Sequence, residues 1–139
     1  MTQQPTYSPH NPHPLSLLRT VLEGQRIYDQ PIYDRLQITP QQLMEFCQKW
    51  QIAELAVFGS ILRDDFRVGG DDPSDVDVLM TYGKNSRKNL ILQVRMKFEL
   101  ETLFDRNVDL VSKTAIIADP NYIRRQNILG SARTIYVER

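Results

Sequence analysis

The sequence predicts an α+β domain, a small sheet covered by helices mainly on one face. Three observations predict it. Short apolar or alternating runs at residues 53–58, 75–81 and 107–111 read as strands. Apolar stripes at helical spacing over 39–50 and 89–104 read as the helices between them. Along the chain the order is helix, strand, four times over, with no internal repeat, which favours a sheet packed against segregated helices.

Each element has its own warrant. Residues 1–13 are polar and proline-rich and hold both histidines, His10 and His13, so they read as a loosely ordered tail. Two histidines without a third ligand are polar tail rather than a metal site. Residues 14–38 read as a helical extension. In it Pro14 precedes a stripe of Leu15, Leu18 and Leu22, and Gly24 follows the end. The domain proper is expected at 39–139. Thr39 is a natural N-cap with Pro40 at the first helical position, and Leu43, Met44, Cys47 and Trp50 recur at helical spacing. Cys47 reads as a buried core thiol. Ala53–Phe58 is a strand that ends at Gly59-Ser60 and starts a helix, and Asp75–Thr81 is the next strand. Asn89–Phe104 is a long helix with Leu92, Met96, Leu100 and Leu103 on its core stripe. Asn107–Val111 is a third strand. Asp119-Pro120 opens a last helix that stops at Gly130, and Arg133–Glu138 is a final strand.

Composition narrows the function. The chain has 139 residues, one domain's worth, with 17 basic and 17 acidic side chains. A net charge of zero gives no bulk attraction to phosphate backbones, so stable direct nucleic-acid binding is not expected. No apolar run approaches the ~20 residues of a spanning helix, so no membrane association is expected. The first residues lack a basic stretch followed by an apolar one, so no secretory signal is expected. One cysteine allows neither an internal disulfide nor a zinc cluster, and the expectation is a cytoplasmic protein.

The acids are unevenly placed. Eleven of them are aspartates, and Asp64, Asp65, Asp71, Asp72, Asp75 and Asp77 fall within fourteen residues. The first four surround Gly69-Gly70 and Pro73 and read as a solvated turn. Asp75 and Asp77 differ, because they alternate with Val76 and Val78 on a strand and so share one face. Asp109 has the same setting between Val108 and Leu110. If these strands are neighbours, about 4.8 Å apart, three carboxylates converge, which calls for a cation or a shared proton. Hard oxygen ligands of this kind suit Mg²⁺. Gly59-Ser60 supplies an anion site at a strand end, where Gly59 lets backbone approach closely. Either motif alone is a weak signal. In this order they point to nucleoside triphosphate chemistry.

On these residues the chain resembles a minimal nucleotidyltransferase of the DNA polymerase β superfamily, the type encoded beside HEPN-domain RNase toxins. The resemblance rests on Gly59-Ser60, Arg63, Ser74-Asp75-Val76-Asp77-Val78-Leu79, Val108-Asp109-Leu110-Val111 and Ala132-Arg133-Thr134-Ile135-Tyr136. It covers roughly residues 40–139. It implies the polymerase β-like fold with a small mixed sheet. It implies that Asp75, Asp77 and Asp109 hold two Mg²⁺ ions, with Asp109 also the general base for the acceptor hydroxyl. Gly59 and Ser60 would hold the β- and γ-phosphates of ATP, and Arg63 would neutralise phosphate charge or pair with Asp64 or Asp65. One departure stands out. Family members commonly place ten residues between Gly-Ser and the first aspartate, and here there are fourteen, residues 61–74, with the surplus expected in the 67–72 loop.

The resemblance also implies the acceptor. A bare catalytic core fits an acceptor delivered by a second folded protein, namely a tyrosine hydroxyl of a HEPN RNase toxin held in a hetero-oligomer and inactivated by AMP transfer. Two other readings stay open: a non-catalytic antitoxin that acts by binding the toxin, and a nucleotidyltransferase acting on a small molecule or RNA. Lys84, Arg87 and Lys88 flank the long helix and read as a solvated helix entrance, and Arg124 and Arg125 as a solvent or partner face.

Overall fold

The computed structural model describes residues 29–86 and 88–138. The tail with His10 and His13, the Leu15–Leu22 helix and Arg87 lie outside the described residues.

The first described helix, α1 (Gln30–Leu36), was not distinguished from the extension in the sequence. Asp29 caps it, and Ile32, Tyr33 and Leu36 go into the core. Its Tyr33 hydroxyl donates to the Ile135 carbonyl at 2.8 Å, which ties the start of the described chain to its end. Helix α2 (Pro40–Trp50) begins as expected: Thr39 accepts from the Gln42 amide and the Gln42 side chain returns to the Thr39 amide, a reciprocal cap. Strand β1 (Ile52–Phe58) follows and ends in a single 3₁₀ turn at Gly59–Leu62, not in the α-helix expected after Gly-Ser. Strand β2 is Val76–Tyr82, α3 is Leu90–Phe104 capped by Asn89, and β3 is Val108–Ser112.

A short helix α4 (Lys113–Ile117), capped by Ser112, was missed because five residues hold too little periodicity to read. Helix α5 (Tyr122–Ser131) starts later than the sequence suggested. Asn121 is its N-cap, while the Asp119 carboxylate accepts from the Asn121 amide and pairs with Arg124. Gly130 lies inside α5 rather than past its end, and the helix stops at Ala132 where the chain turns extended into β4 (Arg133–Val137).

The sheet runs β3-β2-β1-β4. It is mixed: β2 and β3 are parallel, and β1 is antiparallel to both β2 and β4. The parallel pair is bridged by α3, the crossover such a pair requires. A shift in the β1–β4 register between Leu55 and Ala56 lets both Ile135 and Tyr136 enter the core.

The two faces are unequal. One carries the principal core, in which Leu55, Val57, Val76, Val78, Met80, Val108 and Leu110 of the sheet meet α1, α2 and α3. The other holds a small cluster of Ala56, Leu79, Ile116 and Ile128 under α4 and α5. Cys47 is fully buried in the principal core, and burial pushes its thiol far up from its ordinary range.

Candidate active site

The period of β2 decides where the acids go. Val76, Val78 and Met80 face the principal core, so Asp77, Leu79 and Thr81 face the other way. In register, Asp77 lies between Phe58 of β1 and Asp109 of β3. The middle of that face is closed by α4 and α5, and its end, where β1 finishes and β2 and β3 begin, carries the carboxylates.

Gly59 and Asp77 are built around each other. Gly59 has φ +77°, in the left-handed region that glycine adopts without strain. A Cβ at Gly59 would overlap the Asp77 Oδ2 and stand 3.3 Å from its Cγ. The Asp77 carboxylate therefore leans on the bare backbone of the Gly-Ser turn. Next in the turn, the Ser60 hydroxyl donates to the Asp75 carbonyl at 3.4 Å, and the Arg63 amide donates to the Ser60 carbonyl at 2.9 Å. Two motifs fourteen residues apart in sequence are thus in contact.

Electrostatics single out one carboxyl. Asp77 is half-buried, whereas Asp75 and Asp109 are exposed. Burial, then the charge of Asp109 and that of Asp75, hold the Asp77 proton more tightly than an ordinary aspartate would, and Arg63 opposes them. Arg63 itself pairs with Asp65, Nε to Oδ1 at 3.4 Å, both largely in solvent. Its positive charge faces both the acidic loop and Asp77.

The expected convergence needs one correction. Among the described residues, no three His, Cys, Asp or Glu side chains stand as a ready metal cage. Asp77 and Asp109 are cross-strand neighbours, but Asp75 precedes the first residue of β2, so strand alternation does not bind its side chain to the face of Asp77. Mutual repulsion also keeps like charges apart. The donor set nonetheless fits a hard divalent cation: carboxylate oxygens, two of the three residues solvent-accessible, and one carboxyl whose ionised form Arg63 compensates only in part.

Between the two motifs, Asp64, Asp65, Asp71 and Asp72 are exposed. The loop from Arg67 to Ser74 is closed at its base: the Ser74 amide donates to the Arg67 carbonyl at 2.9 Å, and the Arg67 amide to Ser74 Oγ at 2.8 Å. Arg67 also reaches across it to the Asp72 carbonyl at 2.7 Å.

Sequence reasoning overlooked the supports beneath the site. Glu101 of α3 accepts from the Val108 amide at 3.0 Å and from Lys97 at 2.9 Å, which fixes the outer edge of β3 one residue before Asp109. These bonds hold the Glu101 carboxyl below its ordinary range. The signal for Glu101 was there, an i,i+4 pair with Lys97, but nothing local tied it to β3. A groove of about 780 Å³ lined by Met44, Cys47, Gln51, Gly83 and Tyr136 lies at the opposite end of the sheet, away from the carboxylates.

Comparison with known proteins bears on the family and the fold. Residues 40–131 match the family model described as a nucleotidyltransferase domain. A candidate protein adenylyltransferase, MJ0435 of Methanocaldococcus jannaschii, is 28% identical over 76 residues, 55% of this chain and 75% of that protein. A crystal structure of a mutant MntA–HpeT toxin–antitoxin superposes with a TM-score of 0.52 at 12% identity, over 73% of this chain and 75% of the other. A toxin–antitoxin crystallised with AMP-PNP gives 0.50 at 13% identity, over 73% and 76%. At such identities these structures bear on the fold.

Proposed function

This chain belongs to the nucleotidyltransferase domain family, and from that premise we propose that it transfers AMP from ATP to a tyrosine hydroxyl of a partner HEPN-domain RNase, which it thereby neutralises. The observation that carries the reading is the contact of Gly59 with the Asp77 carboxylate, beside Asp109 in register. It supports a triphosphate site and a carboxylate site sharing one wall. The relative named for protein adenylyltransferase activity supports a protein acceptor. The fold likeness to antitoxin-containing crystals supports the partner class.

Each residue then has a task. The Gly59 backbone and the Ser60 hydroxyl receive the β- and γ-phosphates; the long Ser60–Asp75 bond of 3.4 Å is readily exchanged for one to a phosphate oxygen. Arg63 offsets triphosphate charge from the edge of the acidic loop. Asp75, Asp77 and Asp109 would hold Mg²⁺, which, when bound, supplies charge neutralisation at the attacking and leaving oxygens. Asp109 is exposed, within reach of an incoming hydroxyl, and would take its proton. In that step the acceptor oxygen bonds to the α-phosphorus, the bond to the β-phosphate oxygen breaks, and pyrophosphate leaves.

The test uses labelled ATP, Mg²⁺ and a HEPN RNase, with mass spectrometry of the RNase. We expect adenylyl groups on tyrosine and loss of RNase activity with the native chain, and neither with Asp77→Asn. Neutralisation that persists without ATP would replace this reading with inhibition by binding alone.

A further inference from the structure

The fourteen residues between Ser60 and Asp75 contain no regular secondary structure after the 3₁₀ turn. Their carbonyls must find donors elsewhere. Two arginines from distant parts of the chain supply them. Arg35 of α1 donates to the carbonyls of Ile61 and Arg63. Arg106, in the turn before β3, donates to Arg67 at 3.0 Å, Ser74 at 3.2 Å, Phe104 at 3.3 Å and Val68. Both guanidinium groups lie over the ring of Phe66, at 5.9 Å and 5.1 Å from its centroid.

Arg106 is only 7% exposed. No ion pair joins it to a carboxylate among the described residues, so its charge is held by carbonyls and one aromatic face, with the charge of neighbouring Asp105 acting from further off. A surface loop does not need so costly a fixture. The fixture stands beside the backbone of two site residues: Ser74 immediately precedes Asp75, and Arg106 lies three residues before Asp109. One planar fork therefore ties the base of the longer loop to the strand that carries Asp109, while Arg35 ties the other end of the spacer beside Ser60.

We propose that Arg106 is a positioning residue which, with Phe66 and Arg35, sets the separation of Asp75 from Asp109 and so the divalent-cation affinity of the site. The proposal rests on the carboxylate reading given above. It makes the longer loop part of the site's support. Loss of a support behind metal ligands commonly weakens binding ~10–100-fold.

The test measures Mn²⁺ binding by paramagnetic broadening and amide exchange in the metal-free protein. Arg106→Met should weaken Mn²⁺ binding by about tenfold or more. It should speed exchange at Ser74 and Val76 while leaving α2 amides as they are. Arg106→Lys keeps the charge but not the fork, and should fall between. If Arg106→Met does not fold, the Lys variant carries the test alone. Exchange that accelerates equally in α2, or Mn²⁺ affinity equal to that of the native chain, would overturn the proposal. Asp77→Asn separates the two readings. If it removes Mn²⁺ binding while both Arg106 variants retain it, only the positioning role fails; if it leaves binding intact, the carboxylate assignment falls and takes this role with it.

Discussion

The two faces of β2 divide the molecule's work. Val76, Val78 and Met80 are 0% exposed against three helices. One residue out of phase, Asp77 is half-exposed beside an exposed Asp109, with its proton held above the ordinary range. The same seven-residue strand thus packs the principal core on one side and, on the other, carries the carboxylate proposed for chemistry. The lesson is that the face proposed for function is the one that carries unfavourable charge, because neighbouring carboxylates repel one another while no cation lies between them.

The comparison breaks first at Asp109. Asp109→Asn should lower AMP transfer by roughly three orders of magnitude, about 4 kcal/mol on the barrier, with the melting temperature unchanged or slightly raised. A radiolabel transfer assay paired with thermal denaturation checks it. A coupled collapse of fold and activity would show that the faces are not independent. The mirror experiment is Met80→Ala on the packed face. A cavity there should cost about 3 kcal/mol in urea unfolding, while residual activity per folded molecule stays near native.

How much of this was legible beforehand follows the same division. The strands and their acids were readable because a two-residue period is local: Val76 and Val78 alternate with Asp77 within the motif itself. Helix α2 was readable from Thr39-Pro40 for the same reason. What could not be read was whatever depends on distant partners. Arg106 looks like a surface residue in Asp105-Arg106-Asn107, yet it is buried because carbonyls of residues 67, 68 and 74 come to it. On α3, Leu92, Met96 and Leu100 did turn inward, but Leu90, Ile91, Val94 and Phe98 on the same helix are exposed. The stripe was legible from its spacing, Leu103 included; the apolar residues of the other side follow no such local rule.

Gly59→Ala tests the seam between the faces. The new Cβ would meet the Asp77 carboxylate, and φ +77° is strained for alanine. We expect a loss of about 1–3 kcal/mol in stability. Activity should fall as well, because relief of the clash displaces Asp77. Restored transfer in Gly59→Ala/Asp77→Asn would contradict the assignment of Asp77, whereas partial recovery of stability alone fits it.

The smallest effect is the most specific. Burial and neighbouring charge raise the Asp77 pKa on folding, so the folded chain binds that proton more tightly than the unfolded one. For a carboxyl shifted upward, the ionised form is the destabilising one. The penalty is therefore present at neutral pH, declines as pH falls through the folded-state value and is gone below the unfolded-state value. Asp77→Asn removes the group, so without divalent cation it should raise the melting temperature by a few degrees at pH 7, with the gain shrinking as pH approaches 4. Glu101 behaves oppositely. Its carboxyl is held down by the Val108 amide and Lys97, so its contribution is present above the unfolded-state value and lost on acidification. Glu101→Gln should thus lower stability slightly at pH 7 and converge with the native chain in acid. Parallel curves for the two variants, rather than this mirror pair, would mean that Asp77 is held by ordinary surface contacts and that the functional face carries no stored repulsion.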